Sequence, residues 1–235
     1  MDARPQLFNF PITHRWPATR PDAIQLYSFP TPNGVKISIA LEELGLEYEP
    51  HRVTLSDADV RSPEFLSLNP NNKIPALIDP NGPDGMPLAL FESGAILIYL
   101  AEKTGQLLPK GAAKYDAIKW LMFQMGGLGP MLGQLGYFAK LAGSEIEDPR
   151  PRTRYLDEAK RLLSVLENHL EGRDWVAGEY SIADIAIAPW LRALDFYEVK
   201  DLVGWIDLKN VPAYLDRFLA RPAVQRGLNI PSREG

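Results

Sequence analysis

The chain has 235 residues, 25 Lys and Arg against 30 Asp and Glu, three His and no Cys, for a formal net charge of −5. With no thiol of its own it can form no disulfide, thiolate metal cluster, Cys nucleophile or Cys-x-x-Cys redox pair, so any sulfur chemistry must arrive with a ligand. A composition that is 46% hydrophobic and 23% charged is that of a globular protein of one or two domains, and mild acidity without basic runs argues against nucleic acid or an anionic membrane as partner.

The first ten residues lack the basic-then-apolar order of a signal peptide, and the longest apolar run, Ala95–Ala101, is too short to span a bilayer. A cytoplasmic location is therefore expected. Residues 1–23 carry Pro5, Pro11, Pro17 and Pro21, which disfavour regular helix. They read as an N-terminal extension, either a solvated tail or, given Leu7, Phe8, Phe10 and Trp16, an arm packed on the body or on a partner subunit.

From Ile24 the pattern becomes regular. Ile24–Phe29 is a β-prone run ended by Pro30-Thr31-Pro32-Asn33-Gly34, and Ile37, Ala40, Leu41 and Leu44 then fall at helical spacing before Gly45. Leu46–Thr54 reads as a second strand with Pro50 as a break or an edge. Ala76–Asp79 and Met86–Phe91 flank a Pro/Asn/Gly turn and should form a hairpin, followed by a helix opening at Glu92-Ser93-Gly94 and stopping near Gly105. The order is βαβ, then ββα.

Beyond Leu108–Gly111 strand patterns nearly vanish. Helices are expected over Tyr115–Gln124, Tyr155–Leu170, Ile185–Leu194 and Pro212–Ala220. Gly126-Gly127-Leu128-Gly129-Pro130 reads as an interruption after the first, Asp148–Pro151 as the end of a connecting segment, and Ser181 with Asp184 as a structural capping box. The domains so drawn are 1–23 (extension), 24–107 (α/β), 108–114 (linker) and 115–235 (all helical).

His14, His51 and His169 are isolated from one another and from carboxylates at ligand spacing, so no metal site is expected. No nucleophile elbow, dinucleotide fingerprint or phosphate loop is present. Three other motifs carry possible chemistry. Thr31 and Asn33 stand where a strand meets a helix N-terminus, a place able to stabilise a thiolate, although Thr31 can equally be a plain cap. Ile74-Pro75 invites a cis peptide that would leave the Ile74 backbone for an extended ligand, with Lys73 beside it either for a ligand carboxylate or as a solvated loop lysine. Glu92 and Ser93 open a helix and suit an amino-acid group, though Ser93 alone could be an N-cap.

Thr31-Pro32-Asn33-Gly34, Asn71-Asn72-Lys73-Ile74-Pro75, Leu90–Leu97 and Gly126–Met131 together resemble the glutathione transferase family, over residues 24–225. They are most similar to the bacterial Nu class and to bacterial proteins like the fungal nitrogen-regulation prion protein. The resemblance implies a thioredoxin-like N-terminal domain followed by an all-α C-terminal bundle, a homodimer, and a site for one or two glutathiones or oxidised glutathione, without metal. It implies disulfide reduction by glutathione thiolate, with hydroperoxide reduction and weak conjugation beside it; a glutathione-binding scaffold with negligible turnover is the alternative. Carried over by position, Thr31 and Asn33 would contact the sulfur, Lys73 a carboxylate, Ile74 the cysteinyl backbone, and Glu92 with Ser93 the γ-glutamyl end. Pro75 is structural in that pattern, Arg154 matches an arginine contributed by the helical domain, and Gln134 would line the cleft. Where the class often has a glutamine after the second strand, this chain has Asp59-Val60-Arg61.

Overall fold

Four strands among the described residues, β1 (Ile24–Ser28), β2 (Tyr48–Arg52), β3 (Ala76–Asp79) and β4 (Leu88–Phe91), pair in the order β2-β1-β3-β4. The coordinates are a computed structural model that describes residues 7–234; Met1–Gln6, with Pro5 of the expected arm, and Gly235 lie outside the described residues. β1 pairs parallel with β2 across helix α2 (Pro32–Leu44) and antiparallel with β3, which forms the expected hairpin with β4. Every residue of β1 and β3 is buried, as central strands covered on both faces must be. Helix α5 (Ser93–Thr104) follows β4 and completes the βαβ-ββα order of a thioredoxin-like domain.

From Leu7 on, the N-terminal arm is folded. A 3₁₀ turn at Leu7–Asn9 and a short helix, α1 (Ile12–Arg15), stand where the prolines argued against helix. The run Ile12–Trp16 lies between Pro11 and Pro17 and so has room for one turn. Ile12 is fully buried, and Leu7, Phe10 and Trp16 join the cluster around Tyr27, Val53 and Phe65. The Trp16 ring meets those of Tyr27 and Phe65 edge-on, each at 6.4 Å. Three polar ties hold the arm. Glu49 accepts from the N–H groups of Thr19 and Arg20 and from the Thr19 hydroxyl, Trp16 Nε1 donates to the Arg52 carbonyl at 3.1 Å, and Arg15 pairs with Asp59 at 2.7 Å.

Short helices α3 (Asp57–Val60) and α4 (Pro63–Leu68) link β2 to β3. The helical region divides differently from the expectation. Among the described residues, one compact unit comprises those up to Thr104 together with those from Pro222 onward, and the other spans Gly105–Arg221. The second unit contains α6 (Ala112–Phe123), α7 (Gly129–Ala139), α8 (Pro149–His169), α9 (Ile182–Tyr197) and α10 (Asn210–Leu219). The last helix, α11 (Pro222–Gly227), packs on α2 in the first unit, where Ser38 Oγ donates to the Gly227 carbonyl at 2.6 Å.

Gly126–Pro130 does not interrupt the chain's helical path. A π-helical turn over Gln124–Leu128 carries α6 directly into α7. Within this stretch Gly129 serves close packing, since a Cβ there would lie 3.0 Å from Trp190 Nε1 of α9, and farther along α7 a Cβ on Gly136 would lie 2.5 Å from the Tyr197 ring. Helix α8 begins six residues before its expected start, because Asp148 caps it and Pro149 and Pro151 occupy a first turn whose N–H groups have no intrahelical acceptor. At the start of α9, Ser181 Oγ accepts from the Ala183 N–H at 3.3 Å and Asp184 accepts from the Ser181 N–H at 2.8 Å. Fully buried Asp184 also accepts from the Val176 N–H and the Tyr214 hydroxyl, both at 3.1 Å; burial pushes its carboxyl up to about 6 against the pull of these bonds.

Because Ile12 is buried in the first unit's core, Ile12→Ala will lower stability by about 3 kcal/mol, read as a drop in the urea midpoint; an unchanged midpoint would show that the arm contributes no packing.

Candidate active site

One row of residues sets where the site residues lie. Tyr27 of β1 is opposite Ala76 of β3, and Ala76 is opposite Phe91 of β4. The C-terminal end of β1, the N-terminal end of β3 and the C-terminal end of β4 therefore share one end of the sheet. The segments that adjoin this row are the Phe29–Asn33 loop, Lys73-Ile74-Pro75 and Glu92-Ser93, so three motifs separated by up to sixty residues of sequence become neighbours.

Thr31 is the N-cap of α2, with extended backbone and Pro32 at the first helical position. Its Oγ1 accepts from the Gly34 N–H at 3.2 Å. The cap and the thiolate reading are compatible, since an oxygen that accepts from the helix still carries a proton to donate. Asn33, half-exposed, sits in the same first turn, at the positive end of the helix dipole. Gly34 is required for this turn, because a Cβ there would lie 1.9 Å from the Phe29 carbonyl oxygen. The loop is also clasped by the C-terminal tail. Arg233 Nη2 donates to the Pro30 carbonyl at 2.9 Å, Arg52 donates to the Arg233 carbonyl at 2.8 Å, and both guanidinium groups lie 5.7 Å from the Phe29 ring centroid. Nothing in the sequence pattern signals that clasp.

The Ile74–Pro75 peptide is cis, as is Ile230–Pro231 near the tail, which the sequence reading did not single out. Ile74 is buried and Lys73 exposed, and the Lys73 carbonyl accepts from the buried Asn69 side chain at 2.6 Å. Glu92 is exposed and has φ of +70°, the left-handed region. A non-glycine residue held there costs about 1–3 kcal/mol and marks a junction whose backbone is dictated by its surroundings. Ser93 is buried behind it, and the ammonium of fully buried Lys36 donates to Ser93 Oγ at 3.3 Å. Burial lowers Lys36 to about 7, partly opposed by the charge of Glu92. Lys36 was not among the expected site residues. A clue was available in the run Val35-Lys36-Ile37-Ser38-Ile39-Ala40-Leu41, where apolar residues surround Lys36 on nearly every face of the helix, as in a buried helix.

Arg154 and Gln134 belong to the second unit. Arg154 is exposed in the second turn of α8, where its charge acts on Glu158, and Gln134 is exposed midway along α7. The departure at Asp59-Val60-Arg61 has a structural reason. Asp59 accepts from the Thr54 N–H and hydroxyl and from Arg15, and these bonds outweigh burial and hold its carboxyl below the usual range. Val60 is buried in the core. This stretch anchors the arm. Among the described residues no three His, Asp or Glu side chains are grouped to hold a metal ion, and no helix is long and apolar enough to cross a membrane.

Two family descriptions match the chain: glutathione S-transferase N-terminal domain over residues 22–102 and glutathione S-transferase C-terminal domain over 141–222. The chain belongs to the glutathione transferase family. Among its relatives, disulfide-bond oxidoreductase YfcG of Escherichia coli is 47% identical over 208 residues, 87% of this chain and 94% of that protein. A glutathione transferase from Pseudomonas putida, solved with one glutathione disulfide per subunit, superposes with a TM-score of 0.96 at 61% identity, covering 97% of this chain and 100% of the other. Another from Burkholderia graminis, with two glutathione molecules per subunit, gives 0.95 at 64%, covering 99% and 98%.

The strain at Glu92 is measurable. Glu92→Gly will be more stable than Glu92→Ala by about 1 kcal/mol, seen as a higher urea midpoint, since both variants lose the carboxylate whose charge acts on Lys36 and only glycine relieves the backbone; equal midpoints would mean that the left-handed backbone carries no strain.

Proposed function

We propose that this transferase reduces disulfides with glutathione, the sulfur of which is held at the N-terminus of α2 by Thr31 and Asn33. The observation that carries the reading is the capped helix start, which presents a hydroxyl, an amide and the positive end of the dipole at the sheet end shared with Ile74-Pro75 and Glu92-Ser93. Those three stations match the thiol, cysteinyl backbone and γ-glutamyl end of one extended tripeptide. The similarity to YfcG, a protein named as a disulfide-bond oxidoreductase, supports the same reaction.

A thiol like that of glutathione titrates near 8.5 in water, so at neutral pH only a few per cent is thiolate. Hydrogen bonds from Thr31 and Asn33 and the helix dipole stabilise the anion in preference to the thiol. The thiolate attacks one sulfur of the substrate disulfide, the S–S bond breaks, and the departing thiolate takes a proton from solvent. A second glutathione, for which Arg154 and Gln134 are the proposed contacts, then attacks the glutathionyl sulfur of the mixed disulfide, releasing the second substrate thiol and oxidised glutathione. Two glutathiones are oxidised for each disulfide reduced. The protein supplies no reacting sulfur, only binding and electrostatics. Lys73 is the proposed partner of a ligand carboxylate, and Ile74 pairs with the cysteinyl backbone through its own N–H and C=O. A cytoplasmic homodimer completes the proposal.

Thr31→Ala will lower kcat/KM for 2-hydroxyethyl disulfide by at least about tenfold and raise the pKa of bound glutathione, followed through thiolate ultraviolet absorbance. Asn33→Ala will act in the same direction. An inactive wild type, or full activity in the double variant, overturns the assignment.

A further inference from the structure

A lysine ammonium has donors and no acceptor. Where Lys36 meets Ser93, the serine oxygen is therefore the acceptor, and the serine proton is the part of that hydroxyl that can be given to an incoming group. Lys36 is fully buried, and Ser93 is buried at the first position of α5, next to the strained Glu92. A buried cation costs several kcal/mol unless it is compensated. In the first unit the acidic group whose charge acts on it is Glu92. Among the other charged residues on elements packed against α2, Arg226 of α11 is paired with Glu42, farther along the helix, at 2.6 Å. The cation thus sits behind the junction, and Glu92 sits in front of it.

We propose that Lys36 is a positioning residue for the amino-acid end of the ligand: its ammonium engages the Ser93 oxygen, aims the serine proton at the ligand's α-carboxylate, and supplies the positive charge that makes the station select a carboxylate. This rests on the glutathione reading above and adds to it a specificity determinant outside direct ligand contact. Glu92 takes the complementary part, accepting from the α-ammonium of the same ligand group. The pair Lys36 and Glu92 then gives the station one charge of each sign, as a zwitterionic amino acid requires. A neutral residue at 36 would leave the Ser93 hydroxyl with no charge behind it to tell a carboxylate from a hydrogen atom.

The test compares two ligands that differ only at this group: glutathione, and γ-aminobutyryl-cysteinylglycine, which keeps the amine and the thiol but lacks the α-carboxylate. Calorimetry on wild type, Lys36→Met and Ser93→Ala measures both affinities. Wild type will prefer glutathione, and Lys36→Met will lose about tenfold or more of that preference while holding the decarboxylated ligand as wild type does. Equal weakening towards both ligands in Lys36→Met means that Lys36 serves only the fold, and an intact preference means that it does not act on the carboxylate; either overturns the proposal. Adding Ser93→Ala to Lys36→Met will cost little further preference if the two act in series, whereas full additivity overturns the relay. Wild type that binds neither ligand sinks the glutathione reading itself, a result distinct from all of these. The wild-type preference measured against pH gives a readout that needs no variant. Since burial sets Lys36 to about 7, the preference will be greatest below that value and fade above it, and a preference constant with pH overturns the proposal.

Discussion

The register row Tyr27–Ala76–Phe91 decides where the three candidate junctions of the first unit lie. Register in a sheet buried on both faces is strongly specified, because a slip of one residue would exchange the side chains on its two faces. With β1 and β3 buried along their whole length, such a slip would also unmake the core around Tyr27 and Ile78. Packing in the core and the position of the site are therefore one constraint. Helix α2 inherits its place from β1, and α5 from β4, so their N-termini open at the same end of the sheet without any contact between the loops themselves having to arrange it.

Carboxylates do much of the work of tying segments that lack long regular structure. Glu49 gathers the N–H groups of Thr19 and Arg20, Asp59 the Thr54 N–H and hydroxyl, and Glu167 the N–H groups of Lys209, Asn210 and Val211 at the start of α10. For these three, burial opposes the charge but the hydrogen bonds outweigh it, and each carboxyl is held below its usual range. Asp184 has a comparable set of donors and the opposite result, with burial winning. The difference is solvent: Asp59 keeps 17% of its side chain exposed and Asp184 none. Partial hydration is what lets an acceptor of backbone N–H groups keep its charge cheaply.

These details mark what the sequence could and could not disclose. Periodicity and turn chemistry were enough for the βαβ-ββα order, because Thr31-Pro32 and Gly45 are local signals and the hairpin turn is rich in Pro, Asn and Gly. The three motifs were legible one by one, but their convergence depended on strand register, which no local pattern states. Gly126–Pro130 reads as an interruption because glycine looks the same whether it breaks a helix or lets another element come close; a Cβ on Gly129 would lie 3.0 Å from Trp190 Nε1, whereas one on Gly126 would meet nothing within 4 Å. The arm was ambiguous for a related reason. Prolines at 11 and 17 cap the length of a helix without forbidding one turn, and the burial of Ile12 is a tertiary fact. Asp148-Pro149 and Pro151 read as the end of a connecting segment, yet proline is at home in a first helical turn.

Thr31 and Ser93 solve the same chemical problem at the two ends of the proposed ligand. Each hydroxyl lies at the start of a helix and already has its oxygen engaged as an acceptor, by the Gly34 N–H at one end and by the Lys36 ammonium at the other. A free hydroxyl can rotate and present either a lone pair or a proton, and so discriminates poorly between a donor and an anion. Engaging the oxygen biases it towards donation, and the helix N-terminus adds positive potential in the same direction. The engaged partners differ in strength as the ligand groups differ. A neutral backbone amide stands behind Thr31, where the proposed task is to favour a soft, dispersed sulfur anion, whereas an ammonium that burial lowers to about 7 stands behind Ser93, where the proposed task is to tell a hard carboxylate from neutral alternatives. A chain with no cysteine thus needs no sulfur of its own to handle sulfur chemistry. What it contributes in the proposed reaction is two hydroxyl groups biased towards donation, each at a helix start on the end of the sheet defined by one row of residues.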